Sequence, residues 1–510
     1  MIESRWKYRR LFEILPGVIS WLIILSPIIL SLLAPDILAI YMIFFLTYWL
    51  VKTFFMSARL IVGYKRFRHD MRVNWRQKLE GLPPDKAWGK IYHLVIVPTY
   101  KEDIQILRSS IESVIKSDYP AEKIIYLLAT EERDRERAEQ YGRIICQDYR
   151  GQLGEIITKM HPGDIPNEVA GKGPNITYAI KEVLPYFEKR GISPKNIIVT
   201  NMDADNRLDK NYLACLTYKY LSDPDPVHKS FQPLPMFFNN IWDVPMAMRQ
   251  IAMGSSFWQM IVNTRPSRLR NFSAHAQSLE ALIEVDFWSK TTIVEDGHQY
   301  WRTYYHFNGQ HEVVPIFTPI YQDAVLANSF WETLREQYLQ KRRWSWGVSD
   351  IPYVMEHTIG NKKIPFIDRW ANALILWEGH ITWSTTSIVL ATSAWWPLIL
   401  NPDFRETVLA FNFPVVYSRL LTVAWIGMLV SLIVSTLLVP PHRGRKPIRR
   451  IIVDWLLTPI VLPVSNILFS SIPALESQTR LMCGKKMEVF RVTVKSTQRS
   501  FVTGTITTND

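Results

Sequence analysis

The chain has 510 residues, of which 48% are hydrophobic and 21% charged, and its formal net charge is +12. The apolar residues are concentrated towards the two ends, which excludes disordered, fibrous and disulfide-stapled classes and indicates a multi-pass membrane protein with a water-soluble middle. The basic residues flank the hydrophobic segments and do not alternate with aromatic residues in an RNA-binding motif, so nucleic acid is not an expected partner.

Two membrane-spanning helices are predicted in an N-terminal membrane region, residues 1–70. Between Glu13 and Asp36 there are 22 uncharged residues, close to the roughly 20 that a helix needs to cross the hydrocarbon core. A second apolar stretch runs from Ile37 to about Tyr64. The turn between them is too short to form a domain, so the two helices are predicted to form a hairpin.

A C-terminal membrane region, residues 371–475, is predicted to contain two or three spans and an interfacial segment. Three uncharged windows are long enough to cross a membrane: Glu378 to Asp403, Arg419 to Arg443, and Asp454 to Glu476. The last window contains Pro459, Pro463 and Pro473, which favour a re-entrant or interfacial segment over a straight span. The basic tail, residues 476–510, would then be cytosolic.

The basic residues orient the chain in the membrane. They cluster at the N-terminus, after the second apolar stretch and between the last two windows, and the positive-inside rule places these segments in the cytosol. The three cysteines, Cys146, Cys215 and Cys483, match no metal-ligand spacing, as expected in a reducing compartment. We expect a multi-pass protein of the plasma (inner) membrane, in contact with membrane lipids, whose catalytic domain is cytosolic.

The middle of the chain, residues 71–330, alternates short apolar runs with amphipathic helical patterns, which predicts a parallel α/β sheet. The predicted strands and helices are His93–Pro98, Ile104–Ser117, Ile124–Leu128, Glu131–Asp148 and Ile197–Thr200. Because ligand groups on such a sheet gather beyond the carboxyl ends of the strands, the polar residues that follow the strands are expected to meet in one crevice. These residues are Thr99, Tyr100, Glu102, Glu131, Glu132, Asp203 and Asp205.

Asp203 and Asp205 form an Asp-x-Asp directly after an apolar strand. Two carboxylates at a strand end offer hard oxygen ligands to a divalent cation that bridges a diphosphate, as Mg²⁺ and Mn²⁺ do. The alternative is a solvated loop, because acidic pairs at this spacing also arise by chance. The position after a strand favours the metal site.

Lys172 lies in a glycine-containing run just before a helix predicted to begin near Ile176. The run lacks the Walker-type phosphate-loop pattern, so that motif is excluded. A lysine close to a helix start is nevertheless well placed to contact a phosphate, and the alternative is an ordinary surface loop.

Glu295 and Asp296 follow two apolar residues and precede an aromatic-rich segment. One interpretation is a helix N-cap. The other is a general base, since a hydroxyl that attacks an activated sugar must lose its proton and a nearby carboxylate can accept it.

Gln340, Arg343 and Trp344 form a Gln-x-x-Arg-Trp motif in a segment, residues 331–370, that is predicted to form amphipathic helices at the membrane interface. One interpretation is a helix anchored by Trp and Arg at the lipid headgroups. The other places the motif over the active site, where Trp344 would stack on a sugar ring and Arg343 would bind diphosphate charge.

Taken in order, these motifs resemble those of the membrane-embedded, processive-type family 2 glycosyltransferases, such as cellulose, chitin and hyaluronan synthases. The resemblance runs from about Tyr92 to Gly347 and implies an α/β GT-A domain with a mostly parallel sheet, inserted between N- and C-terminal transmembrane helices. It implies a nucleotide-diphosphate sugar, expected to be a UDP-sugar, as donor, Mg²⁺ or Mn²⁺ on Asp203 and Asp205, and Asp296 as base.

The strand ends and the motifs above supply the remaining candidate site residues. Glu295 is expected to be catalytic together with Asp296, and Gln340 and Trp344 are expected to bind the acceptor. The expected donor-binding residues are Thr99, Tyr100, Glu102, Glu131, Lys172, Asp203 and Arg343.

Two positions depart from the family pattern. The usual aspartate pair after the second strand is replaced by Ala129-Thr130-Glu131-Glu132, so the nucleotide contact is expected to pass to a glutamate. Val294 stands where a threonine is usual and removes a hydroxyl next to the acidic pair.

The leading hypothesis is an inverting transferase that moves a sugar from a nucleotide donor to a hydroxyl acceptor, extending a polysaccharide that is exported through the membrane. A second hypothesis keeps the chemistry but adds one sugar to a lipid acceptor. The third is a membrane scaffold or nucleotide-sugar sensor without turnover. The sugar, the acceptor and any partner proteins are not readable from the sequence.

Overall fold

The structure, a computed structural model, describes residues 6–442 and 447–487. Its helices are α1 (Arg9–Leu33), α2 (Pro35–Asp70), α3 (Trp75–Glu80), α4 (Ile104–Ile115), α5 (Arg135–Asp148), α6 (Lys172–Lys181), α7 (Leu184–Lys189), α8 (Tyr212–Ser222), α9 (Met246–Asn263), α10 (Leu279–Glu284), α11 (Glu295–His306), α12 (Phe330–Ser345), α13 (Asp350–Gly360), α14 (Phe366–Thr392), α15 (Trp396–Leu400), α16 (Pro402–Arg405), α17 (Val408–Leu438), α18 (Ile448–Asn466) and α19 (Ile472–Met482). Its strands are β1 (Tyr92–Pro98), β2 (Ile124–Glu131), β3 (Glu155–His161), β4 (Ile197–Asn201), β5 (Arg207–Leu208), β6 (Lys229–Met236), β7 (His275–Ser278) and β8 (Glu312–Tyr321).

The strands form one eight-stranded sheet in the order β3-β2-β1-β4-β7-β6-β8-β5. The first four in this order pair in parallel, as the alternating pattern predicts. The antiparallel β7 and β5 make the sheet mixed beyond β4. The parallel half therefore carries the carboxyl ends of β1, β2 and β4 to one edge.

Both faces of the parallel half are covered by helices. Along β1, Val95 and Val97 belong to a core shared with α4, α5 and α8, whereas Leu94 and Ile96 belong to one shared with α6, α7 and α10. Alternate strand residues point to opposite faces, and burying each large aliphatic side chain contributes roughly 1.5–3 kcal/mol. This two-sided burial fixes the register of the strands that end at the candidate site.

Element boundaries differ from the sequence-based predictions at two places near the site. The second strand extends to Glu131, and a short 3₁₀ turn, Glu132–Asp134, separates it from α5. The helix predicted to begin near Ile176 begins at Lys172, after an extended Gly171. Lys172 therefore lies in the first turn of a helix.

Among the described residues, four helical runs are long and apolar enough to cross a membrane: α1, α2, α17 and the run from Ile448 to Met482. The window from Glu378 to Asp403 is not one of them. It is divided between α14, which ends at Thr392 and carries several polar residues, and the five-residue α15.

The last run is one continuous helix in which a π-helical turn, Ile467–Ser471, joins α18 to α19. This wider turn lies just before Pro473, which has no backbone N–H to donate to a carbonyl of the preceding helical turn. The helix is held near both ends, where Asp454 pairs with Arg249 of α9 at 2.8 Å and Glu476 pairs with Arg342 of α12 at 2.8 Å. The run is long and apolar enough to cross a membrane, and its placement as a re-entrant or interfacial segment stays a prediction.

Candidate active site

Five charged side chains form a cluster at the carboxyl edge of the parallel strands, here called the catalytic corner: Lys172, Asp203, Glu295, Asp296 and Arg343. They come from the start of α6, the loop after β4, the start of α11 and the end of α12. The chain positions span more than 170 residues, so only the fold brings them together. Each was a predicted site residue.

Lys172 is the buried cation of the corner. Its Nζ donates to Asp203 Oδ1 at 2.6 Å and to the Ser273 carbonyl at 2.9 Å, and it lies 4.0 Å from Glu295 Oε1. Burial opposes its charge, but the adjacent Asp203 and Glu295 carboxylates outweigh that effect and hold the pKa of Lys172 above its usual value. Lys172 therefore remains an ammonium that binds carboxylates and can bind a phosphate.

Gly173 lets the starts of α6 and α11 approach each other. A Cβ at this position would lie 2.3 Å from the Ser289 carbonyl oxygen and 3.1 Å from Glu295 Cβ. A methyl group would push the two helix starts apart and displace Lys172 from Glu295. This packing role of Gly173 was not predicted from the sequence, in which the glycines only failed to match the phosphate-loop pattern.

Glu295 and Asp296 occupy the first turn of α11, where the helix dipole favours negative charge. Val294 precedes them without a capping side chain, so neither acid is the N-cap. Burial is the main cause that raises the pKa of both carboxyls, and Lys172 opposes the rise.

The two acids have different surroundings. Glu295 is almost fully buried beside Lys172. Asp296 is half-buried, and its Oδ1 accepts the N–H of Gly297 at 2.7 Å. Asp296 is therefore better placed than the enclosed Glu295 to accept a proton from a substrate hydroxyl.

Arg343 brings the Gln-x-x-Arg-Trp helix to the corner. Burial lowers the pKa of Arg343, and the four nearby carboxylates, those of Asp203, Glu295, Asp296 and Asp205, oppose this effect. Its neighbour on α12 points elsewhere, since Arg342 pairs with Glu476 on α19. α12 therefore connects the candidate site to the C-terminal helical run.

Trp344 packs beside the corner. Its ring is half-buried, lies 6.3 Å from that of Phe237 and has the Lys341 ammonium 4.2 Å from its centroid. Gln340, one turn earlier, is buried and accepts from Gln337 at 3.2 Å. The acceptor-binding roles of Gln340 and Trp344 remain predictions.

Asp205 is held at the floor of the corner, where its Oδ2 accepts the N–H of Asp323 at 3.0 Å. Asp203 remains 38% exposed in spite of its contact with Lys172. No group of three or more His, Cys, Asp or Glu side chains that could hold a metal occurs among residues 6–442 and 447–487. The chain can thus supply two carboxylates, which is the usual protein share for Mg²⁺ beside a diphosphate.

The ends of β1 and β2 carry a second cluster, here called the nucleotide side: Thr99, Tyr100, Glu102, Glu131 and Arg133. Thr99 Oγ1 donates to Glu102 at 2.9 Å, and Arg133 donates to Glu131 at 2.7 Å and lies 4.5 Å from the centre of the Tyr100 ring. A small pocket is lined by Thr99, Glu131 and residues of α5. The predicted polar clusters thus occupy two adjoining parts of one edge.

Helix α6 joins the two parts. Asn175, one turn after Lys172, donates to the Ala129 carbonyl at 3.1 Å, and the Thr99 N–H donates to the same carbonyl at 2.8 Å. A movement of α6 would therefore alter both the nucleotide side and the catalytic corner.

A His–Asp contact behind the acidic pair was not identified from the sequence. His298, on the same face of α11 as Glu295, lies with Nδ1 2.8 Å from Asp350 Oδ1 at the start of α13. The i, i+3 spacing from Glu295 was a signal for His298. Nothing in the sequence indicated Asp350 as its partner.

No family model matches the sequence, and no curated protein matches it. Among solved structures, the chain is similar to a mannosyltransferase from Pyrobaculum calidifontis in complex with GDP-Man and Mn²⁺, with 12% identity over 88% of this chain and 100% of the other and a TM-score of 0.45. It is also similar to Staphylococcus aureus TarS in complex with UDP-GlcNAc, with 14% identity over 78% of this chain and 93% of the other and a TM-score of 0.33. A third similar structure is GalNAc-T7 with UDP, GalNAc and Mn²⁺, with 10% identity over 62% and 57% of the two chains and a TM-score of 0.30.

Proposed function

We propose that this chain is an inverting glycosyltransferase that moves a sugar from a nucleotide-diphosphate sugar to a hydroxyl acceptor at a membrane surface. The observation that carries the proposal is the catalytic corner itself. A buried lysine, a half-buried arginine and a half-buried carboxylate converge beyond the ends of parallel strands, next to an Asp-x-Asp. These groups match what a sugar transfer with a diphosphate leaving group requires.

Asp296 is the proposed general base. As the acceptor oxygen bonds to the anomeric carbon, its proton passes to the Asp296 carboxylate, and the bond from that carbon to the diphosphate breaks on the opposite side. A single displacement of this kind inverts the anomeric centre. Glu295, enclosed beside Lys172, positions the lysine and the start of α11 instead.

Lys172 and Arg343 would hold the negative charge that grows on the departing diphosphate. Both remain cationic groups in a buried setting, where electrostatic contacts are stronger than in water. Asp203 and Asp205 would hold Mg²⁺ or Mn²⁺, and the exposed part of Asp203 together with the orientation of Asp205 by the Asp323 N–H fits that role. Such a cation supplies further charge stabilisation to the diphosphate.

The nucleotide side would bind the nucleoside, with a UDP-sugar as the expected donor. Thr99 contacts Glu102, and Arg133 contacts both Glu131 and the Tyr100 ring. Such mutual contacts orient polar groups before the donor arrives and reduce the entropy lost on binding. The same α6 helix then holds the diphosphate near the corner.

The product would be a polysaccharide passed into the membrane region, with the α/β domain in the cytosol. α12 supports this placement, because Arg343 faces the corner while Arg342 and Ser345 contact α19. An acceptor leaving the corner along α12 would therefore reach the transmembrane helices. The four long apolar helical runs support a multi-pass membrane location.

The decisive experiment incubates membranes containing the full chain with a panel of nucleotide sugars and divalent cations and then sizes the products. We expect one sugar to be incorporated, with release of the nucleoside diphosphate, and only when Mg²⁺ or Mn²⁺ is present. Asp203→Asn and Asp205→Asn should each abolish that activity. Asp85→Asn, which changes an exposed acid in the short 3₁₀ turn Pro84–Lys86, serves as the matched control.

Three results would overturn parts of the proposal. Normal turnover of both Asn variants with Mg²⁺ or Mn²⁺ would remove the metal assignment. Tight nucleotide binding without donor hydrolysis or transfer would favour a sensor over an enzyme. A product carrying one sugar on an extractable lipid would keep the chemistry and replace the polysaccharide by a lipid acceptor.

A further inference from the structure

Away from the catalytic corner, four cations meet where α2, α14 and the turn after α9 come together. They are Lys52, Arg59, Arg265 and Arg268, here called the basic cluster. Lys52 Nζ lies 3.0 Å from one oxygen of Glu378 on α14, and Arg268 Nη1 lies 3.4 Å from the other. Arg265 interacts electrostatically with Arg59, Arg268 and Glu378, which places all five side chains in one group.

The basic cluster carries more positive charge than its acid can balance, because one carboxylate faces four cations. Burial lowers the pKa of Arg265, and repulsion from Arg268 and Arg59 lowers it further, against the attraction of Glu378. Like charges held together in this way raise the energy of the folded chain. A bound anion would relieve that repulsion.

The position of the cluster along α2 matches a membrane interface. Lys52 and Arg59 are seven residues apart, so they lie on the same face of the helix, separated by about 10 Å along its axis. The Lys52 ammonium lies 4.2 Å from the centre of the Trp49 ring and 5.7 Å from that of Tyr48, aromatic residues of the kind that line headgroup regions. The cluster thus has the basic and aromatic side chains expected at the headgroup level, where lipid phosphates lie.

The cluster is also open. The side chains of Lys52 and Arg268 are 25% and 37% exposed, so an anion can reach them without rearrangement. Val51 and Phe55, beside Lys52 on α2, are exposed apolar residues. A headgroup at the cations would leave its acyl chains against such side chains, whereas a free phosphate would gain nothing from them.

We propose that the basic cluster binds the phosphate of an anionic glycerophospholipid at the cytosolic membrane surface. The proposal depends on α2 lying in a membrane but not on the identity of the transferred sugar. Ser273, whose carbonyl accepts from Lys172, lies only five positions after Arg268. The bound lipid would therefore hold the turn after α9, and with it one wall of the catalytic corner, against the membrane.

The test measures lipid retained by the purified full chain. The protein in neutral detergent is incubated with equal amounts of phosphatidylglycerol and phosphatidylcholine, and retained lipid is counted by native mass spectrometry. We expect selective retention of phosphatidylglycerol. Each cation near a membrane surface contributes roughly fivefold to such binding, so Arg265→Gln with Arg268→Gln should weaken it by about 25-fold. Arg72→Gln, an exposed cation just beyond the end of α2, should leave it unchanged.

A variant that is expected to tighten lipid binding distinguishes a specific effect from simple misfolding. Glu378→Gln removes the single opposing charge, so it should tighten phosphatidylglycerol binding roughly fivefold. Equal retention of the two lipids, unchanged binding in the double variant, or weaker binding in Glu378→Gln would each overturn the proposal. Complete displacement of the lipid by inorganic phosphate at about 10 mM would show a phosphate-ion site and overturn the lipid assignment.

Discussion

Two acidic pairs, Glu131-Glu132 and Glu295-Asp296, look alike in the sequence but differ in the folded chain. Each comes shortly after an apolar run and close to the start of a helix. Arg133 donates to Glu131, and Arg135 and the Gly163 N–H donate to Glu132. The pKa of Glu132 is held below its usual value, first by the Gly163 N–H and then by Arg135.

The second pair has the opposite electrostatics. Burial raises the pKa of both Glu295 and Asp296, and Lys172 offsets only part of the rise. The difference arises because α11 starts against another helix start at the sheet edge, whereas the turn that carries Glu132 lies on the surface. Acidic residue type alone therefore does not distinguish the two pairs; the surroundings that the fold gives each carboxylate do.

The sharpest test of this comparison replaces one acid in each pair by its amide. Asp296→Asn should reduce transfer roughly 10²- to 10⁴-fold, because the proposed base can no longer accept the acceptor proton. Glu132→Gln should change transfer less than about twofold, since an exposed ion pair is worth little. Initial rates and donor affinity are measured for both. Loss of donor affinity with normal turnover in Asp296→Asn would make this carboxylate a donor ligand.

Removing the cation that the second pair encloses should destabilise the fold. Lys172→Met leaves the Glu295 carboxylate buried without its cation, and breaking a buried pair costs about 3–5 kcal/mol. Lys181→Met, on the same helix but in an exposed pair with Asp286, should cost about 1 kcal/mol or less. Thermal unfolding in detergent reports both. Equal effects would show that burial at the corner adds nothing to the strength of the lysine pair.

The close approach of the two helix starts is tested by adding one methyl group. Gly173→Ala should lower stability by about 1–3 kcal/mol, because the new Cβ meets the Ser289 carbonyl and Glu295. Gly254→Ala, inside α9 with open space around it, should instead stabilise the helix by up to about 1 kcal/mol. Unfolding temperatures of the two variants are compared. A neutral Gly173→Ala would show that the helix starts can separate without cost.

Trp344 tests how far the catalytic corner extends towards the membrane. Trp344→Ala should slow transfer to the acceptor roughly tenfold and leave donor hydrolysis by water less affected, because a stacking ring would hold only the acceptor sugar. Trp344→Phe should be milder. Rates of both reactions are followed with one donor. Equal losses, together with poorer stability on extraction from membranes, would make the residue an interfacial anchor.

The smallest expected effect is a shift in pH dependence. Since burial raises the pKa of Asp296, the acid limb of kcat/KM should lie above the roughly pH 4 of an ordinary carboxyl. Arg343→Gln should move that limb to higher pH, because Arg343 lowers the pKa of Asp296, whereas Arg342→Gln should not. A limb that moves equally in both variants would remove Arg343 from the corner.

The sign for stability follows from the same pKa direction. The folded-state pKa values of Glu295 and Asp296 lie above their unfolded-state values. In the pH interval between the two values, the folded chain therefore binds more protons than the unfolded chain. The stability that these groups give at low pH is lost as the pH rises through their folded-state pKa values. A free energy of unfolding that rises with pH across the interval would contradict the burial of the pair.

Most of the parallel half of the sheet could be predicted from the sequence, because buried strands need continuous apolar runs. The predicted runs that end at Pro98, Leu128 and Thr200 correspond to β1, β2 and β4, whose ends carry the polar clusters. The predicted boundaries of strands and helices were less accurate where glycines or acids interrupt the hydrophobic pattern, as at the start of α6 (Lys172) and the end of β2 (Glu131). The mixed pairing beyond β4 was not predicted, because helices separate β5, β6, β7 and β8 along the chain just as they separate the parallel strands, so the pattern gives no strand direction.

The sequence by itself determined the apolar segments, the order of the strands along the chain and the residue types that carry charge. Only the tertiary structure decided that Lys172 contacts Asp203 and Glu295 and that His298 contacts Asp350. It also decided that Arg343, and not Arg342, faces the carboxylates. The reason is physical. Hydropathy and helix signals act over a few neighbouring residues, whereas enclosure and pKa depend on which distant elements pack together at the sheet edge.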